Sequence, residues 1–447
     1  MKESSQRPST APRSRRPFGV LLGFVALLIV GTVIFLQRQS THTQTTSNPE
    51  SASAPGVAGT TSSATASRHD STVKGGTADR NPLADLVRIM RDSSLSIAQR
   101  KEAMEALARN GSHEALLELK KVLADSPSDV RVAVTEALGQ CHSTEGVGML
   151  VALLNDSDFA VAKAAVQGLS QTHQAEAMTA LSQLVTDNSA PVGVRCEAAL
   201  ALGATHEPWV LDPLSRAAKE STDEDVAMAA LNAIGGLDFN TTKAFYEDFL
   251  QSPNVSCDLQ IAAVESLVQA EGDTSGFLAK LAATSSDPEI RLAAAWALSA
   301  TQDAGNLGPD VLALIGKEAD PDVRLRLYQA LANQQSFDVN AAISAVQNEA
   351  DPSARVAGFD MLAKALRDNP TPELQRIFDE VAIPELRKVA LTGASIDDRQ
   401  AAIIALARAN TPGALAALGD LRNQIPQPQS QPPPRSLPGR RPQIGSN

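Results

Sequence analysis

The sequence predicts an all-α fold: an α-solenoid of about ten two-helix repeats, preceded by one transmembrane helix and a disordered linker. Three observations carry this. The first is a recurring phrase. It reads Val130-Arg131-Val132-Ala133 running on to Ala137-Leu138-Gly139, and returns as Val194-Arg195-Cys196-Glu197 to Ala201-Leu202-Gly203. It comes back as Ile290-Arg291-Leu292-Ala293 to Ala297-Leu298, and as Val323-Arg324 to Ala330-Leu331. A fixed period of about 20–50 residues is the mark of stacked repeats. The second is helical periodicity inside each unit. The third is an uncharged run that begins at Phe18 and ends at Leu36, about the length of a bilayer core.

The apolar residue of the Ala-Leu pair serves as a marker. It falls at Leu107, Leu138, Leu169, Leu202, Ile234, Leu267, Leu298, Leu331, Leu362 and Leu406. The intervals are 31 to 33 residues, except the last at 44. Val130, Val134, Ala137 and Leu138 keep one helical face, and Val147, Leu150, Leu153 and Leu154 repeat it after a polar break. Two helices of roughly 12 residues with a short turn fit one unit. No stretch shows sustained period-two alternation. Asn110-Gly111, Gly203, Gly235-Gly236 and Asn410 are expected just past the first helix, as left-handed terminators. Asp287-Pro288, Asp320-Pro321 and Asp351-Pro352 are expected to start units, with Asp as N-cap and Pro at the first helical position.

The pattern of Asp, Val-Arg, Ala and Ala-Leu-Gly resembles the HEAT-repeat family, in particular the PBS-lyase HEAT-like repeats of bacterial proteins. Asp129-Val130-Arg131 and Asp322-Val323-Arg324 match it best, the units near Ala162 and Ala227 lack the Arg, and residues 369–395 depart in length. The resemblance implies a structural ladder at Arg100, Arg131, Arg195, Arg291, Arg324, Arg355 and Arg399, each guanidinium bonding an Asp or a turn carbonyl of an adjacent unit. The other reading of the same register is a cationic stripe for an anionic partner.

Charge divides the chain. Residues 1–38 carry +5 and residues 424–447 carry +3, which leaves −20 on the middle of a chain of net −12. An acidic body repels phosphate backbones, so no nucleic acid is expected as partner. The basic residues lie mostly before the uncharged run, which places the N-terminus in the cytoplasm and exports the solenoid. The resulting division is a basic cytoplasmic segment at 1–17, a transmembrane signal anchor at 18–36, a Ser/Thr/Ala-rich disordered linker at 37–81, the solenoid at 82–423 and a Pro-rich disordered tail at 424–447. The localisation this implies is a bacterial inner membrane, single-pass, with the solenoid periplasmic or otherwise extracytoplasmic. Cleavage of the segment is the rival reading. Ser14-Arg15-Arg16-Pro17-Phe18 also resembles the core of a twin-arginine export signal.

Chemistry is sparse. Cys141, Cys196 and Cys257 are odd in number and fall in different units, so free thiols are expected. His142, His173 and His206 each lie four residues after the marker Leu, in consecutive units. A row for metal or proton transfer is one reading. Helix capping is the other, because His accepts left-handed geometry and its charged form suits a helix C-terminus. His113-Glu114 and His206-Glu207 invite comparison with the HEAT-like deoxyhypusine hydroxylases, but two pairs in different registers do not make that di-iron set. No phosphate loop, Gly-x-Ser-x-Gly or His-Glu-x-x-His occurs. The expected function is a non-enzymatic, membrane-tethered scaffold for a protein partner, without cofactor or metal. The alternatives are a lyase-like or metal-dependent enzyme with a groove near His142, His173 and His206, and a structural envelope spacer.

Overall fold

A computed structural model describes residues 82–301 and 306–424. All of them lie in the second of two compact units, Thr77–Asn447. The recurring phrase forms the first helix of each repeat: Ile97–Asn110, Ser128–Leu138, Phe159–Thr172, Val192–Gly203, Glu224–Gly235, Cys257–Ser266, Pro288–Ala300, Pro321–Ala332, Pro352–Asp368 and Ile396–Ala409. Second helices follow, such as His113–Asp125, Ala175–Thr186, Leu211–Glu220 and Phe239–Gln251. Each first helix packs on the first helix of the next unit, and contact between successive second helices is sparser. Among the described residues no strand forms beyond one isolated bridge, Asp238 to Glu271.

Local chemistry sets the helix ends. Asp287, Asp320 and Asp351 accept backbone N–H groups at the N-cap, each followed by Pro. Ser96 and Gln99 form a reciprocal capping box. Gly111 (φ 64°) and Asn410 (φ 51°) end their helices in the left-handed region. Every marker residue is at most 2% exposed, so the phrase is the core line of the solenoid. Burial of each Leu is worth about 1.5–3 kcal/mol.

Gly203 and Gly235 do not terminate helices as the sequence pattern suggests. Both lie inside helical turns, and their role is close approach. A Cβ on Gly203 would stand 2.7 Å from the Ala233 Cβ, and one on Gly235 would stand 2.5 Å from the Ser266 carbonyl. A Cβ on Gly139 would stand 2.9 Å from the Gly168 Cα in the same way. The Ala-Leu-Gly phrase therefore lets neighbouring backbones touch.

The 44-residue interval holds no additional unit. Pro352–Asp368 is a 17-residue helix, and its partner runs from Pro372–Ile377 through a π turn at Phe378–Ala382 into Ile383–Thr392.

The expected transmembrane helix and the single-pass inner-membrane localisation are corrected. Among the described residues no helix is long and apolar enough to cross a membrane. The longest regular α-helix, Pro352–Asp368, carries Arg355, Asp360, Lys364, Arg367 and Asp368, and the run from Pro372 to Thr392 carries Glu373, Arg376, Asp379, Glu380, Glu385, Arg387 and Lys388, whereas a bilayer core asks for about 20 apolar residues. The architecture that stands is the helical solenoid. The run from Phe18 to Leu36, the linker at 37–81 up to its last residue and the tail at 425–447 lie outside the described residues.

The arginine ladder and a candidate partner-binding face

The ladder arginines sit in the first turn of the first helices, where the side chain reaches back to the preceding loop and across to the next one. Arg195 is 1% exposed. It donates to Asp223 (2.8 Å), the Asn188 side chain (2.7 Å), Ser221 Oγ (3.1 Å) and the Val185 carbonyl (3.5 Å). Arg291 forks onto Glu318 at 2.9 and 3.2 Å, and donates to the Ser285 carbonyl. Arg324 forks onto Glu349 at 2.8 Å through both nitrogens, and donates to the carbonyls of Glu318 and Ala319. Arg131 pairs with Asp156. Arg100 donates to the Met90 carbonyl at 2.8 Å, Arg355 to the Glu349 carbonyl, and Arg399 to Ser395 of its own turn. Such forked, charge-assisted contacts are the strong class of hydrogen bond.

The arginine register does not by itself reveal the acceptors. Asp156, Glu318 and Glu349 lie in the loop before the following first helix. Each also accepts a backbone N–H two residues on, from Asp158, Asp320 and Asp351. Glu318 and Glu349 stand six residues before the next ladder arginine, a spacing that the sequence displays. Gln260 occupies the arginine register and donates to the Leu250 carbonyl at 3.1 Å, as Arg100 does to Met90.

Burial alone would raise the carboxyls of Glu318 and Glu349. The hydrogen bonds from Arg291 and Arg324, with those backbone N–H groups, outweigh it and hold both below the ordinary glutamate range. A carboxyl with a lower pKa in the folded state stabilises fully above its unfolded value, about 4.3, and the gain is lost as pH falls through the folded value. Glu349→Gln should therefore lower the melting temperature at pH 7, and the gap to the natural protein should close toward about pH 3, below that unfolded value. A gap that stayed constant in melts across that range would refute the linkage.

A second surface lies on the other side of the first helices. The positions one and five residues after the ladder register share a helical face. In the first three units they are polar except for Val132, and cross-linked, as in Lys101 to Glu136 at 2.6 Å. From the fourth unit the first of the two positions turns apolar, with Cys196, Met228, Ile261, Leu292 and Leu325, while the second alternates between Leu200 and Trp296 and the polar Asn232, Glu265 and Gln329. All of these are partly or well exposed, Leu200 at 41%. Charged neighbours on this face are poorly hydrated. Burial pushes the Glu265 and Asp360 carboxyls up and the Arg326 guanidinium down, and Arg408 and Lys364 oppose the rise at Asp360.

The structure does not bring the three histidines to one site. His173 (φ 52°) and His206 (φ 54°) occupy the left-handed region, and His142 does not. His173 lines a groove of about 600 Å³ with Met178, Trp209 and Arg216. His206 approaches Glu271 at 3.6 Å, and His142 is exposed between helices. Among the described residues no group of three His, Cys, Asp or Glu side chains is placed to hold a metal. The three cysteines are free. Burial, then the hydrogen bond to Asp287, pushes the Cys257 thiol up to about 11, which leaves it protonated at neutral pH.

The family of HEAT repeats matches residues 117–193 and 149–235, and the PBS lyase HEAT-like repeat family matches residues 99–125. No curated protein matches the chain. Among solved structures, an engineered protein is similar at 22% identity, covering 74% of this chain and 99% of its own, with a TM-score of 0.31. Kap121p bound to Pho4p is similar at 13% identity, covering 77% of this chain and 44% of its own, with a TM-score of 0.47. Kap95p, in a structure with RanGDP, is similar at 15% identity, covering 76% of this chain and 52% of its own, with a TM-score of 0.46. The chain thus spans about half the length of these last two proteins.

Proposed function

We propose that the chain is a non-enzymatic scaffold that holds a protein partner along the outward face of its first helices, with the ladder arginines as structural rungs and His173 and His206 as helix caps. The observation that supports this is the apolar row one residue after the ladder register, through Met228, Ile261, Leu292 and Leu325, with Leu200 and Trp296 one turn further along their own first helices. A continuous apolar surface with polar borders is a protein-binding feature. A solenoid provides it because each unit repeats the same face.

The test is photocrosslinking in the native cell. Probes at Leu292 and Leu325 should capture one and the same protein. Trp296→Arg should weaken that capture about tenfold, the loss of one aromatic anchor, at a temperature where circular dichroism shows the variant still folded. Capture only from a probe at Leu117, on the second helix His113–Asp125, would overturn the assignment.

A further inference from the structure

The ladder has a vacant rung. Arg131, Arg195, Arg291 and Arg324 each meet a carboxylate from the loop before the next first helix. Arg355 occupies the same register at the start of Pro352–Asp368, and it hydrogen-bonds the Glu349 carbonyl behind it. Among the described residues no carboxylate from the following loop pairs with it. The loop it faces reads Gly393-Ala394-Ser395. The rung position, six residues before Arg399, is Gly393. An acidic side chain has no room there, because a Cβ would stand 2.7 Å from the Val389 carbonyl and 3.1 Å from Arg399 Cγ.

In place of the rung there is a pocket of about 460 Å³ lined by Arg355, with Val356, Phe359 and Val389 as its apolar wall. Asp398 also lines it, but its carboxyl is turned to the hydroxyls of Ser353 and Ser395. Lys388 and Glu385 contribute opposite charges. The formal charges of the wall sum to zero, so a ligand is selected by the guanidinium N–H groups that the Glu349 carbonyl leaves over, and not by a net field.

We propose that this pocket takes a carboxylate side chain from a protein partner, an Asp or Glu followed directly by an apolar residue. The chain itself supplies the argument for the occupant. In this register Arg131, Arg195, Arg291 and Arg324 each meet a carboxylate of the following unit, at 2.8–3.2 Å for the last three, whereas Arg100 holds the Met90 carbonyl and leaves Asp125 at the rung position unpaired with it. The apolar wall beside the fork suits the next side chain of a peptide, which a free inorganic anion lacks. The inference rests on the reading of the chain as a protein-binding scaffold, and it concerns the Arg355 guanidinium and not the row at Trp296, although Val356 in the wall continues the row's register.

The test uses the full chain and a fluorescein-labelled, capped hexapeptide Gly-Ser-Glu-Leu-Ser-Gly, read by anisotropy, with a Gln-for-Glu twin. The Glu peptide should bind at least about tenfold more tightly than the twin, one lost charged contact. Arg355→Met should remove that preference. Ala394→Glu, which supplies the rung from the chain itself, should abolish peptide binding and raise the melting temperature. If Arg355→Met fails to fold, Ala394→Glu decides. Equal binding of the two peptides, or peptide binding that Ala394→Glu leaves intact, would overturn the proposal. So would displacement of the peptide by inorganic phosphate but not by acetate at matched ionic strength. Because the peptide is supplied pure, a negative result here leaves the crosslinking outcome at Leu292 and Leu325 standing on its own.

Discussion

Arg195→Met should destabilise the solenoid by about 2–3 kcal/mol. Removing one partner of a buried ion pair costs about 3–5 kcal/mol, and that figure is discounted because Asp223 is 38% exposed and can be rehydrated. Met fills the volume of the stem, so the loss isolates the guanidinium. It strands the Asn188 side chain and the Val185 carbonyl along with Asp223. Arg399→Met is the control. That arginine holds the carbonyl of Ser395 in its own turn, and its loss should cost within about 0.5 kcal/mol. Urea midpoints of the two variants check the difference. Because each unit contacts only its neighbours, hydrogen exchange should place the Arg195→Met loss in Val192–Gly203 and Glu224–Gly235. Equal midpoints would mean that the guanidinium is no better held at Arg195 than at the open end.

The register of the arginines is legible because it is tied to the helix that carries them. Their acceptors are not, because the separation varies: Asp156 lies 25 residues after Arg131, Glu318 lies 27 after Arg291, and Asp223 lies 28 after Arg195. What sets the acid is its own loop, where Asp156, Glu318 and Glu349 accept the N–H two residues on. Counting back three residues from the next helix start finds these three, although the same count also reaches Asp125, which Arg100 does not bond, and misses Asp223. The vacancy at Arg355 becomes visible only from that anchor.

The histidines show the opposite case. Their shared spacing of four residues from the marker is real, yet His142 does not adopt the backbone of His173 and His206. The Cys141 N–H donates to the Leu138 carbonyl at 2.9 Å and the Thr205 N–H to the Leu202 carbonyl at 3.1 Å, so His142 and His206 follow the same tight turn and part only at the histidine itself. Equal sequence spacing fixes where a residue stands along a helix, and the backbone at that residue decides which way the chain exits. The apolar row is hidden for a related reason. Leu292 and Trp296 have the composition of core residues, and only the stacking of first helices on one another turns that face outward.

Gly235→Val should be damaging as well, at about 2–4 kcal/mol, the sum of an overpacking cost and a lost hydrogen bond. The sequence pattern suggests a helix terminator at this position, and the structure places it where two first helices touch. A Cβ there stands 2.5 Å from the Ser266 carbonyl and 2.7 Å from the Ser266 Cβ, and backbone cannot swing aside as a side chain would. Overpacking of this kind costs about 1–3 kcal/mol. Displacing Ser266 also breaks its 2.8 Å hydrogen bond with Tyr246, whose hydroxyl is buried, for about 1 kcal/mol more. Gly148, within Thr144–Leu153, is different: a Cβ added there meets nothing within 4 Å. Gly148→Ala should therefore stabilise by about 0.5–1 kcal/mol through helix propensity alone. Calorimetry on the pair gives opposite signs if close approach is the reason for the recurring glycine. A Gly235→Val protein that melted with the natural chain would mean that the helices can part without cost.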